Sequence, residues 1–255
     1  MKSKNLLQVV CLLSLLGFLF STNNAKAAVA YDNASTAGSA TSSITWSHIT
    51  TGSDTFLVVG HVADLGVDGT TGITYAGVSL TERLNYGGSG AQCVLYTLAS
   101  PTSGDNNVVI TKKTADNSRG GAITVTGSNG TYDGLTNGTT ATRTSDSQTV
   151  TSGSTGDMVI DVLCSGTTTA WNANGDNTGR VSGATQFNLS MSTAPGAASV
   201  NMSWAIGSGN AVESMGVLNV NLGTQGGGGT PTPKPRRPII QESQRPLKAE
   251  EAIIV

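Results

Sequence analysis

Thr55–Ala63 reads TFLVVGHVA and is entered from the turn Thr51-Gly52-Ser53-Asp54. Nearly every position is apolar and β-branched or aromatic residues dominate, while the run is shorter than a typical helix. A continuous apolar run of that length suits a strand covered on both faces, at the centre of a packed β structure. Met158–Cys164 (MVIDVLC), entered from Gly153-Ser154-Thr155-Gly156-Asp157, repeats the pattern. The two runs predict the middle of a β-domain, and neither contains chemistry.

Working outward from this pair, short strands follow one another. Ser43–His48 alternates, with Ile44, Trp46 and His48 on one face. Ile73–Tyr75 and Val78–Thr81 flank Ala76-Gly77, the spacing of a two-residue hairpin. Cys93–Ala99 is a second largely apolar strand ended by Ser100-Pro101, and Asp105-Asn106 opens Asn107–Lys112. Ala122–Thr126 follows across an expected Arg119-Gly120-Gly121 turn. Ser128–Ser147 is polar and Gly-rich and reads as a long crossing loop; Ser165–Ala184 reads as another loop. Gln148–Thr151 reads as a short strand before the second central run. Phe187, Leu189 and Met191 alternate with polar residues, as do Val200, Met202, Trp204 and Ile206, and then Leu218, Val220 and Leu222. Outside the first residues no stretch has a period of 3.6 over helical length. The expectation is an all-β, antiparallel β-sandwich, jelly-roll-like, of about ten strands.

The turn before FLVV resembles the turn before MVI, and each is followed by strand–turn–strand segments ending in an alternating stretch. Two similar halves would produce this echo, and so would shared turn grammar in a chain rich in Ser, Thr and Gly.

Three regions are expected. Met1–Ala27 reads as a signal peptide: Lys2 and Lys4 precede the apolar core Leu12–Phe20, and Ala25-Lys26-Ala27 places small residues at the cleavage positions. Residues 28–223 form the β-sandwich domain. Residues 224–255 form a linker and tail, Gly-rich at first, then carrying Pro231, Pro233, Pro235 and Pro238, with a basic excess from Lys234, Arg236, Arg237, Arg245 and Lys248. The mature chain is therefore expected outside the cytoplasm, secreted or at the cell surface.

Charged residues make up only 12% of the chain and aromatics 5%, beside 33 glycines. From Ala28 to Gly223, Arg83, Lys112, Lys113, Arg119, Arg143 and Arg180 face thirteen acidic residues, a net charge of about −7. An acidic surface repels phosphate backbones and argues against a nucleic-acid partner. After signal removal no segment is apolar enough to span a membrane.

Candidate chemistry is sparse. Cys93 and Cys164 are the mature cysteines, each in an apolar strand; export permits a disulfide between sheets, and two buried thiols fit the pattern equally well. His48 and His61, the only histidines, lie in strands with no nucleophile-elbow motif to match them, so a structural role is expected. Asp64, Asp68 and Asp161 supply carboxylates, but glycoside hydrolysis needs a pair across a cleft. Trp46 and Trp204 sit in alternating strands, whereas Trp171 stands beside the polar run Asn172–Asn177, where an exposed ring would stack on a sugar. Asn172, Asn174 and Asp176 offer oxygens at alternate positions around Gly175, a spacing compatible with calcium, the single cofactor weighed; Asp64 and Asp68 form a weaker second set.

The order TFLVVGHV, GITYAGVSLT, VLYTLASPTSGDNNVVIT, GDMVIDVLC and VNMSWAIGSG followed by MGVLNVNL resembles a family of β-sandwich domains in bacterial secreted proteins and phage tail or other structural proteins. The resemblance spans about Ala30–Gly223, rests on strand and turn patterns, and transfers no site residue. It implies a jelly-roll-like sandwich with a structural, adhesive or ligand-binding role. Two functions are expected from these readings: a non-catalytic exported module with a structural or adhesive role, partnered by itself or another surface protein, or a carbohydrate-binding module resting on Trp171.

Overall fold

The computed structural model describes residues 27–63, 69–88, 91–137, 141–184, 187–206 and 211–222. The expected signal peptide up to Lys26, the pair Asp64 and Asp68, and the tail lie outside the described residues.

Among the described residues every regular element is a strand, and every pairing is antiparallel. In chain order the strands are β1 (Ala30–Ser39), β2 (Ser43–Thr50), β3 (Phe56–Ala63), β4 (Thr70–Tyr75), β5 (Val78–Ser79), β6 (Thr81–Gly88), β7 (Ala91–Ala99), β8 (Gly104–Lys112) and β9 (Ser118–Thr126). They continue as β10 (Ser128–Asn137), β11 (Ala141–Arg143), β12 (Ser145–Val150), β13 (Met158–Ser165), β14 (Trp171–Ala173), β15 (Thr178–Ala184), β16 (Asn188–Pro195), β17 (Val200–Ile206) and β18 (Ala211–Leu222).

Four sheets result. An inner sheet β1-β9-β3-β7-β6 is covered by an outer sheet β2-β8-β4-β5; a second inner sheet β10-β18-β13-β16-β15, with β11 on β18, is covered by an outer sheet β12-β17-β14. One apolar cluster fills the space between the two inner sheets, including Phe56, Val58, Val62, Ile123, Ile160, Val162 and Met191. A second, with Trp46, Leu57, Val59 and Tyr75, lies under the first outer sheet; a third, with Val159, Leu163, Trp171 and Trp204, lies under the other. The molecule is thus two sandwiches joined through their inner faces. β3 and β13 are buried at every position because each lies at the centre of an inner sheet with a layer on both sides. The strands of the outer sheets alternate: β2 sends Ile44, Trp46, His48 and Thr50 inward and Thr45, Ser47 and Ile49 to solvent.

Apart from β5 and β11, the second sandwich repeats the first strand for strand. β1, β9, β3, β7 and β6 correspond to β10, β18, β13, β16 and β15, and β2, β8 and β4 to β12, β17 and β14. Side chains follow the same correspondence. Arg83 sits at a bulge opposite Tyr96 and Leu95, and Arg180 at a bulge opposite Ser192 and Met191. Each guanidinium donates through Nε to a threonine hydroxyl, Thr97 at 2.8 Å and Thr193 at 2.9 Å. Arg83 then stacks on Tyr132, 4.8 Å from the ring centroid, and Arg180 on Tyr31 at 3.9 Å. Tyr31 pairs with Val125 and Tyr132 with Val220, so the two contacts are reciprocal, as across a two-fold axis. The two entry turns that echo one another in the sequence lead into β3 and β13, corresponding strands of the two halves.

The fold class is as expected, but the strands outnumber the expected ten. Ser128–Ser147 is not a crossing loop: it contains β10 and β11 and leads into β12, pairing β18 and β17. Ser165–Ala184 likewise holds β14 and β15. These are edge or near-edge strands in which few residues, Trp171 and Val181 among them, are apolar and buried, so the sheet's backbone hydrogen bonds define most of their length. Arg119-Gly120-Gly121 is not a turn but the interior of β9. A Cβ at Gly120 would lie 2.6 Å from Ile110 and 2.7 Å from Trp46, and one at Gly121 3.0 Å from Leu189 and Met191. Glycine is needed there because layers close on β9 from both sides. The hairpin at Ala76-Gly77 is as expected, with φ of 50° and 78°.

Candidate functional site

Trp171 is buried, 2% exposed, in the third apolar cluster, where it stands opposite Ile206 on β17. This corrects its reading as an exposed sugar platform. The run after it is polar because it turns at the surface, while Trp171 itself belongs to the inward face of β14. Asn172 and Asn174 are exposed along that strand and turn. Asp176 is tied to β17: its N–H donates to the Asn201 carbonyl at 2.8 Å, and its Oδ2 accepts the Asn201 N–H at 2.7 Å. Asn174 N–H donates to the Ser203 carbonyl, and a Cβ at Gly175 would lie 2.3 Å from the Asn201 oxygen. Asp176 Oδ2 thus serves as a backbone acceptor that ties the turn to β17. Among the described residues no three His, Cys, Asp or Glu side chains gather as a metal set.

Cys93 on β7 and Cys164 on β13 are disulfide-bonded, with Cα atoms 5.6 Å apart. The bond crosses the space between the two inner sheets and joins one half to the other.

Three further titratable residues, His48, His61 and Asp161, lie inside the layers. His48 meets Ser35 Oγ through Nδ1 at 2.7 Å and Thr124 Oγ1 through Nε2 at 2.6 Å; Trp46 Nε1 donates to the same serine. Burial lowers the His48 pKa to about 4, although Asp32 opposes the shift. His61 touches Thr70 Oγ1 at 2.7 Å, its Nε2 lacks a hydrogen-bond partner, and burial with the Lys112 charge nearby lowers its pKa to about 3. Among the described residues both rings are held by hydroxyls and neither by a carboxylate, which is not the arrangement of a catalytic triad. Asp161 is fully buried and accepts from Ser192 N–H (2.7 Å), Ser192 Oγ (2.6 Å) and Trp204 Nε1 (2.7 Å). Burial raises its pKa to about 6 against the opposing pull of those donors.

An open cleft of about 610 Å³ remains where β4 and β5 meet β6 and β7, lined by Thr71, Ile73, Ser79, Leu80, Glu82 and Tyr96 among others. Tyr96 donates its hydroxyl to Glu82 Oε2 at 2.6 Å, and Asn85 Nδ2 approaches the same oxygen at 3.3 Å. Burial and the Glu82 carboxylate push the Tyr96 phenol well above its ordinary pKa, so it stays a donor. Tyr96 reads as one more apolar residue of VLYTL, and Glu82 stands in no motif. Their adjacency comes only from the pairing of β6 with β7.

No family model, curated protein or solved structure matches this chain.

Proposed function

We propose that the chain is a non-catalytic, exported module with a structural or adhesive role at the surface of a cell or particle. The observation that carries this reading is the construction of the molecule: two repeated sandwiches, locked face to face by an apolar layer, a disulfide and two reciprocal Arg–Tyr contacts. Such a body resists shear and keeps its outward faces in fixed relation, and its disulfide suits an oxidising compartment. The buried histidines and Asp161 act as internal hydrogen-bonding groups, which agrees with a mechanical rather than a chemical task. The resemblance to secreted and phage structural sandwiches points the same way.

The Gly- and Pro-rich tail serves in this reading as the tether to a neighbouring subunit. Light-scattering mass and electron microscopy of the mature protein, with and without Gln225–Val255, test it. Large particles or filaments that require the tail are expected. A monomer in both forms, unattached to any surface, would sink the structural reading.

A further inference from the structure

We propose that the cleft between the β4–β5 hairpin and β6 is a binding site for a neutral saccharide, with the Glu82 carboxylate as its main hydrogen-bond acceptor. The inference does not depend on whether the chain assembles. The volume, about 610 Å³, falls in the range of small-ligand sites. Tyr96, in the wall of the cleft, and Asn85, beyond it, both bond to Glu82 Oε2, which fixes the carboxylate and leaves Oε1 to accept from a ligand. A carboxylate held this way makes short, charge-assisted bonds to hydroxyl donors. Around it the lining hydroxyls of Thr74, Ser79 and Thr81 can both donate and accept, as the diols of a sugar ring require, while Thr71, whose hydroxyl donates to the Thr111 carbonyl, offers its oxygen as an acceptor.

The second half of the molecule is an internal comparison. Where the first half has Glu82 and Tyr96 beside the bulged Arg83, the second has Gly179 and Ser192 beside the bulged Arg180. There a Cβ at Gly179 would already lie 3.7 Å from the Trp204 ring, and Ser192 Oγ is engaged by Asp161 and Asn177. The equivalent position of the second half thus has neither an acid nor a phenol, and a side chain there would lie against the Trp204 ring. Nothing in the architecture requires an acid, a phenol and an open space at that place in the first half. Anionic ligands are disfavoured by Glu82 and by the net negative charge of the domain. An amine is the other partner that a single carboxylate would take, but a hydroxyl-lined wall suits a polyol better.

The experiment is a screen of the full mature chain against immobilised neutral oligosaccharides, followed by calorimetry on the best ligand. Glu82→Gln is expected to weaken binding roughly tenfold or more, the range for losing a charged hydrogen-bond partner, and Tyr96→Phe to weaken it less. Gly72→Phe, whose added Cβ meets nothing within 4 Å, is expected to obstruct the cleft and abolish binding. Thr149→Val, exposed on β12 of the other half, is expected to bind as the unmodified chain does. Melting curves establish that each variant is folded. No retention of any neutral glycan, unchanged affinity in Glu82→Gln, or retention of amine-bearing ligands alone would each overturn the proposal.

Discussion

Three buried residues, His48, His61 and Asp161, make stability depend on pH. His48 and His61 have folded-state pKa values lowered from 6.5 to about 4 and about 3, so between those values the unfolded chain binds the extra protons. Stability contributed by the neutral rings is complete above pH 6.5 and is lost as pH falls through the folded values. Asp161 acts in the opposite sense. Its pKa is raised to about 6, so its ionisation disfavours the folded state as pH rises from the unfolded value near 3.8 to about 6, and acidification over that window restores stability. Two groups outweigh one, and the fold is expected to lose on the order of a few kcal/mol between pH 6.5 and pH 4. Urea melts at several pH values measure this, and His61→Gln should flatten the profile. A profile equally steep in the variant would mean that His61 is not the buried neutral group described.

Strands are shaped by what presses on them from both sides, and β3 and β9 show it most clearly. Gly60 and Gly121 face each other in the ladder, and a Cβ at Gly60 would stand 2.2 Å from Val162 of the other half. Gly120 meets Trp46 and Ile110 on the opposite face. Gly60→Ala and Gly120→Ala are each expected to destabilise by about 1–3 kcal/mol through overpacking, although alanine suits a strand no worse than glycine. Thermal melts check this; Gly72→Ala, in open space, should cost little. The Gly-Gly pair misleads as sequence because glycine marks turns and close approaches alike, and only the layers above and below distinguish them. Trp171 misleads for a related reason. Its polar neighbours announce a surface turn, but a strand's period of two puts adjacent residues on opposite faces, and Trp171 is the inward one.

At the scale of the molecule, the halves are held by the apolar layer between inner sheets and by the Cys93–Cys164 bond, which closes a sequence separation of 71 residues. Loop-closure entropy for a ring of that length corresponds to about 4 kcal/mol. Cys93→Ala combined with Cys164→Ala is expected to lower the melting temperature by that stabilisation while keeping the fold, since the sheets keep their common core. Thiol titration of the denatured, unreduced protein should find neither of these cysteines free, and two free thiols would contradict the pairing.

The apolar runs Thr55–Ala63 and Met158–Cys164, the alternation of Ser43–His48 and Val200–Ile206, and the turn at Ala76-Gly77 were enough to determine the all-β class and the central strands. These are local signals, written in periodicity and turn chemistry, and a single chain carries them without its neighbours. The four-layer stack, the strands within Ser128–Ser147, the burial of Trp171 and the meeting of Glu82 with Tyr96 were decided only by tertiary structure. Each depends on which strand pairs with which and which face meets which layer. Those contacts join residues far apart in the chain, where no local pattern records them.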